Sequence, residues 1–267
     1  MGELETQLIY ACSNGNVQEM KKLLNNPQID INWQNQDDKM SLHIACEKGY
    51  LEIIKLLLND ERIDVNKGDS EGRTPFYVAC YFGYIEIVKL LLSDERVDVN
   101  LASTDDQTPF WAACCNGQTE VVKLLLNDQR VDKNKADWSE TTPLHIACYW
   151  KNSEIVKLLL SDERIDVNRT NNFMITPFST ACYRGFLEIV ECLLASRREV
   201  DVNTKDIQGN SAIGVARETR DKISCENDEQ MQERKGRFER IIGLIESFER
   251  NPNETRTKLR IQLGLAG

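Results

Sequence analysis

Nine cysteines and two histidines carry the side chains of this 267-residue chain that could perform nucleophilic, redox or metal chemistry. Six of the cysteines, Cys12, Cys46, Cys80, Cys114, Cys148 and Cys182, recur every 34 residues, each directly after an alanine. Cys115, Cys192 and Cys225 break that period, and no two cysteines stand in C-x-x-C spacing, so a zinc site is not expected. His43 and His145 lack a histidine or carboxylate at the spacing that metal binding or catalysis requires. No phosphate loop and no G-x-S-x-G occurs. The sequence therefore predicts no metal, no cofactor and no catalysis. The rival from another class is a cysteine-dependent enzyme using Cys115, the cysteine expected to be the most exposed. No histidine or basic residue adjoins it to lower its pKa.

The period is the stronger signal, because self-similarity at a fixed spacing marks a copied unit. Leucine pairs Leu57-Leu58, Leu91-Leu92, Leu125-Leu126 and Leu159-Leu160 keep it, as do threonines Thr74, Thr108, Thr142 and Thr176. Each of these threonines precedes a proline, which reads as a helix N-cap followed by proline at the first helical position. Gly15, Gly49, Gly83, Gly117 and Gly185 stop that helix by adopting a left-handed conformation. The fifth copy has Lys151 there, so either its turn differs or strain is tolerated. An E-I-V-K-L-L-L run then gives a second helix. Equivalent side chains of stacked copies lie a helix layer apart, about 8–10 Å, beyond the ~7 Å Cα limit for a disulfide. The six periodic cysteines are expected to pack as small buried hydrophobes.

T-P-L-H-I-A-C at 142–148 and D-S-E-G-R-T-P-F at 69–76 resemble the ankyrin repeat, with its Asp and Gly turn, its T-P-L-H-x-A helix start and its closing D-V-N. The resemblance implies an all-α solenoid, an ankyrin repeat stack of helix-turn-helix units with β-hairpin fingers. It covers an array over residues 1–217, with a divergent N-terminal cap unit at 1–34 and further units from about 35, 69, 103, 137 and 171. A partial last unit spans 204–217. The link LLLNDERIDVN is one residue longer than the family's usual ending. The resemblance also implies a structural hydrogen bond from His43 and His145 to a neighbouring turn. The D-V-N asparagines Asn66, Asn100, Asn168 and Asn203 resemble those that hydroxylases modify in some members, against which stands a plain turn hydrogen bond.

Residues 218–236 are charged and without apolar rhythm, and are expected to form a loop insertion. Phe238, Ile241, Ile242, Ile245 and Phe248 then fall on one helical face. Asn251-Pro252-Asn253-Glu254 reads as a capping box for a final helix, although Leu259, Ile261, Leu263 and Leu265 also alternate as a strand would. Residues 237–267 are thus expected to be capping helices, a helical C-terminal extension; a partner-recruiting tail is the alternative.

Formal net charge is −10, from 33 Lys+Arg against 43 Asp+Glu. The excess lies in residues 1–216, with 22 against 33, while 217–267 hold 11 against 10. Such a surface disfavours nucleic acid. No leader or membrane span is read, so a cytoplasmic or nuclear monomer is expected. The Asp-Glu/Gln-Arg run at 60–62, 94–96, 128–130 and 162–164 is either a ladder of surface pairs or an acidic strip for a basic partner.

Repeat scaffolds vary the residues on one face. After the repeated cysteine the copies read Ser13-Asn14, Glu47-Lys48, Tyr81-Phe82, Cys115-Asn116, Tyr149-Trp150 and Tyr183-Arg184. Tyr77 and Trp111 replace the histidine of other copies, and Trp138 and Phe173 fall on fingers. Tyr, Trp and Arg together have the composition of binding hot spots. The expected function is non-catalytic protein binding, as scaffold, adaptor or inhibitor. Its expected site is a concave strip of Tyr77, Tyr81, Phe82, Trp111, Trp138, Tyr149, Trp150, Phe173, Tyr183 and Arg184.

Overall fold

A computed structural model describes residues 2–223 and 228–265; Cys225 lies outside them. The chain divides into two compact units, residues 1–132 and 133–267. The first holds α1 (Glu3–Ser13), α2 (Val17–Leu24), α3 (Ser41–Lys48), α4 (Leu51–Leu58), α5 (Pro75–Phe82), α6 (Ile85–Leu92), α7 (Pro109–Cys115) and α8 (Thr119–Asn127). Its odd-numbered helices pack in succession, its even-numbered helices do the same, and each odd helix pairs with the even helix that follows. The second unit holds α9 (Pro143–Tyr149), α10 (Ser153–Ser161), α11 (Pro177–Arg184), α12 (Leu187–Ala195), α13 (Ala212–Lys222), α14 (Glu229–Arg250) and α15 (Pro252–Gln262). There α9, α11 and α13 stack in order, α10 packs on α12, and α12 meets both α14 and α15. Each unit is an all-helical repeat stack.

Local chemistry sets the helix ends. Thr74, Thr108, Thr142 and Thr176 each accept the backbone N–H three residues on, and a proline occupies the first helical position. One orphan donor of each helix is thereby satisfied. All six periodic cysteines are fully buried beside their alanines, and none is in a disulfide. Burial drives these thiols up in pKa, Cys12 to about 12. They pack as small buried side chains, as the period implies. Glycine also opens space in the helix-turn-helix bend: a Cβ on Gly49 would meet the Tyr84 ring at 3.2 Å.

The fingers differ from the expected β-hairpins. Among the described residues there is no strand, only an isolated bridge between Lys205 and Ser211. Each finger is a tight turn closed by two backbone bonds, such as Asp69 N to Arg73 O at 3.0 Å and Gly72 N to Asp69 O at 2.8 Å. The Asp69 carboxylate then takes the N–H groups of Glu71 and Arg73. A side chain that consumes the turn's donors leaves too few for a ladder.

The link between copies is held twice. Asn66 Nδ2 donates to Arg96 O at 2.7 Å and Asn66 Oδ1 accepts from Asp98 N at 2.8 Å. Asn32 and Asn100 in the first unit, and Asn134 and Asn168 in the second, repeat this bridge. The long link adds an arginine clamp. Arg96 pairs with Asp94 at 2.6 Å and donates to Leu58 O at 2.9 Å, capping the last carbonyls of α4; Arg130 does the same for Leu92. Cations at a helix C-terminus are favourable. Within each charged run the aspartate and the arginine thus pair with one another.

The carboxyl-terminal region departs from expectation at its start. The charged stretch 218–236 is largely helical, α13 reaching Lys222 and α14 starting at Glu229 rather than near 237; residues 224–227 lie outside the described residues. Apolar rhythm is unnecessary on a solvent face, and Glu, Gln, Arg and Lys are strong helix formers. A Glu218–Lys222 pair and the Asp228 cap support the two ends. The stripe Phe238, Ile241, Ile242, Ile245 and Phe248 is buried as expected. The tail is helix and not strand: Asn251 caps α15 through Glu254 N, and Leu259 is buried.

Lys151 keeps the turn of its glycine counterparts. Its φ is 62°, and Asn152 N still bonds to Ala147 O at 2.9 Å, so the strain is tolerated. Lys151→Gly should raise the free energy of unfolding by about 1 kcal/mol, the strain of a left-handed L-residue, measured by urea denaturation. A fall would show that the Lys151 contact with the Phe186 ring outweighs that strain.

Candidate partner-binding site

The first unit gathers four rings. Tyr77 and Tyr81 stack with centroids 6.5 Å apart, Tyr81 meets Phe82 edge-on at 5.2 Å, and Phe82 stacks on Tyr84 at 6.0 Å. Tyr81 and Phe82, each 41% exposed, close the last turn of α5 just before Gly83. Tyr77 is only 4% exposed and Trp111 only 7%. Both occupy the third position of a helix that points into the stack, so they belong to the packing and not to the solvent-facing set expected of them. Tyr77 donates to Gln107 Oε1 at 3.0 Å, and burial raises its pKa. A cavity of about 200 Å³ opens beside the rings, lined in part by Lys39, Glu47, Arg73, Tyr81 and Phe82. Its charges are already matched: Lys39 pairs with Glu47 at 2.7 Å, and Arg73 pairs with Asp69 and Glu71.

The second unit has its own set. Tyr149 and Trp150, the latter 55% exposed, meet edge-on at 5.3 Å where α9 ends. The Arg184 guanidinium lies 4.4 Å from the Tyr149 centroid and 5.5 Å from that of Phe186. A guanidinium over ring faces is attracted by their quadrupoles. Trp138 and Phe173 are exposed on finger turns, where Asn172 Nδ2 donates to Trp138 O at 3.2 Å. Tyr183 is half-buried and turned to Asp206, its hydroxyl 3.2 Å from the carboxylate. Partial burial, then the nearby Asp206 charge and that bond, raise its pKa.

Tyr84 and Phe186 were not singled out by sequence reasoning. The signal was present: aromatics stand four residues after the repeated cysteine at Tyr50, Tyr84 and Phe186, one residue past the turn. Cys115 is half-buried. Among the described residues no group of three His, Cys, Asp or Glu could hold a metal ion. None of the described helices is long and apolar enough to cross a membrane.

The histidines are structural. His145 Nε2 lies 2.8 Å from Ile175 O, and its Nδ1 accepts from Thr142 N at 3.2 Å. His43 bridges Arg73 O and Met40 N in the same way. Each ring is therefore neutral with its proton on Nε2, since a second proton on Nδ1 would face a backbone N–H.

A family model described as ankyrin repeats (3 copies) matches residues 8–103 and 95–171. A comparison with curated proteins found none that matches.

Burial, the leading cause, depresses the His145 pKa from 6.5 to about 4. Between those values the unfolded chain binds a proton that the folded chain refuses. The stabilisation from neutral His145 is complete above pH 6.5 and is lost as pH falls toward 4, by on the order of 3 kcal/mol. The stability gap between the native chain and His145→Gln should shrink over that window in urea titrations. A gap independent of pH would contradict the buried neutral ring.

Proposed function

We propose, from the premise that the chain belongs to the ankyrin repeat family, that it is a non-catalytic module capturing a protein partner on its exposed aromatic side chains. The observation that carries this reading is the exposure of rings in mutual contact, Tyr81 with Phe82 and Tyr149 with Trp150, at positions where the first two copies have Ser13-Asn14 and Glu47-Lys48. Large rings that already rest edge-on against one another lose little conformational freedom when a partner covers them, and Tyr, Trp and Arg dominate binding energetics. The second set adds a cation, Arg184, held over the Tyr149 ring. The acidic balance of the chain, −10, favours a protein over a nucleic acid as partner.

A scaffold, adaptor or inhibitor would all use such faces. The two-ended adaptor is favoured by one observation, the exposure of Ile261 and Leu265 on an otherwise docked tail. Removal of residues 251–267 separates the cases. A cap loses stability, because Leu259 leaves its place against the core, whereas a recruiting tail loses one partner.

Two double variants, Tyr81→Ala with Phe82→Ala and Tyr149→Ala with Trp150→Ala, test the main reading. Each should lower partner retention from cell extract at least about tenfold, which is roughly 1.4 kcal/mol, while the melting curve moves little because these rings face solvent. Full retention by both variants would contradict it.

A further inference from the structure

A cavity of about 320 Å³ in the second unit is not used by the aromatic set. Lys151, Arg237 and Arg240 line it together with Glu188, Glu191 and the start of α12 at Gly185, Phe186 and Leu187. Its cations are incompletely matched. The Nε of Arg237 is buried and has no hydrogen-bond partner among the described residues. Lys151 Nζ rests over the Phe186 ring at 5.9 Å, a contact that leaves its charge in place. The two carboxylates are occupied or weakened. Glu188 is held by Ser153 Oγ at 2.9 Å and Lys157 Nζ at 3.3 Å. Glu191 is bonded to Gln262, and burial raises its pKa despite the opposing pull of Arg240. Phe186 offers α12 no side-chain cap, and Glu188 is the acidic residue of that helix's first turn.

We propose that this cavity binds a phosphate monoester dianion, gripped by Lys151, Arg237 and Arg240 beside the first turn of α12. Three cations stand against two carboxylates, and Lys157, which reaches Glu188 at 3.3 Å, is itself paired with Glu154 at 2.7 Å, so the cavity keeps a net positive charge. Guanidinium forks match phosphate oxygens, and two of the three cations are arginines. The volume exceeds that of a bare phosphate and leaves room for the esterified group. Such a dianion comes either from a phosphorylated side chain of a protein or from free phosphate and small phosphorylated molecules. The site stands whether or not the aromatic rings capture a partner, since its probe is small.

Calorimetric titration of the full chain with inorganic phosphate and, separately, with N-acetyl-O-phosphoserine amide tests the site, with N-acetylserine amide as control. The native chain should bind at least one phosphate probe and not the control. Arg237→Gln and Arg240→Gln should each weaken binding by about tenfold or more. Arg240 is exposed, so its variant keeps the fold if Arg237→Gln does not. Tighter binding of the phosphoserine probe assigns the site to a phosphorylated protein; equal or tighter binding of inorganic phosphate assigns it to small phosphates. No binding of either probe at millimolar concentration, or binding unchanged by Arg240→Gln, overturns the proposal.

Discussion

One amide holds neighbouring copies in register. The Asn66 side chain donates to Arg96 O and accepts from Asp98 N, so a single residue joins the foot of one copy to the foot of the next. The bond distances recur nearly unchanged at Asn100, where the partners are Arg130 O and Asp132 N. Helix packing alone would allow copies to slide or rotate against one another, because ridges and grooves tolerate a spread of angles. A two-bond bridge with fixed donor and acceptor does not. It also explains why this position is asparagine. Aspartate would lose the donor, serine could not span both loops, and the Nδ2 and Oδ1 atoms are both engaged, as the plain turn hydrogen bond requires.

With register fixed, the 34-residue period decides what lies inside. The cysteines fall into the contact between successive first helices, where only a small side chain fits and where burial keeps the thiol protonated. The histidines fall where one ring reaches its own helix start and the following finger at once. Residues just past the cysteines fall at the end of the helix, where Tyr81, Phe82, Tyr149 and Trp150 are exposed and Cys115 and Tyr183 half-buried. The same register that hides sulfur exposes Tyr81, Phe82, Tyr149 and Trp150. Neighbouring positions in sequence thus have opposite surroundings, Cys80 buried and Tyr81 and Phe82 exposed, because each residue turns by about 100° around the helix.

Much of this was legible in the sequence, because a repeat states each rule several times. The caps at Thr74 and its counterparts, the left-handed glycines, the buried cysteines and the apolar stripe from Phe238 to Phe248 all follow from residue type and spacing. The exposure of Tyr81, Phe82, Tyr149 and Trp150 was legible for the same reason. What escaped depended on context that periodicity does not encode. Tyr77 and Trp111 share a register position with His43 and His145, and inherit the burial of that position rather than the exposure of their aromatic neighbours. The finger turns lack strands because Asp69 and its counterparts satisfy the backbone donors themselves. The charged stretch that opens α14 reads as loop only if helices must show an apolar rhythm, and a solvent-facing helix of Glu, Gln and Arg has none.

The amide bridge is most directly tested by urea unfolding of Asn66→Ala and Asn100→Ala. Each substitution strands an N–H and a C=O of the neighbouring loop, and each should lower the free energy of unfolding by about 1–3 kcal/mol. Unfolding midpoints indistinguishable from that of the native chain would contradict the account, since the copies would then hold their register without the bridge.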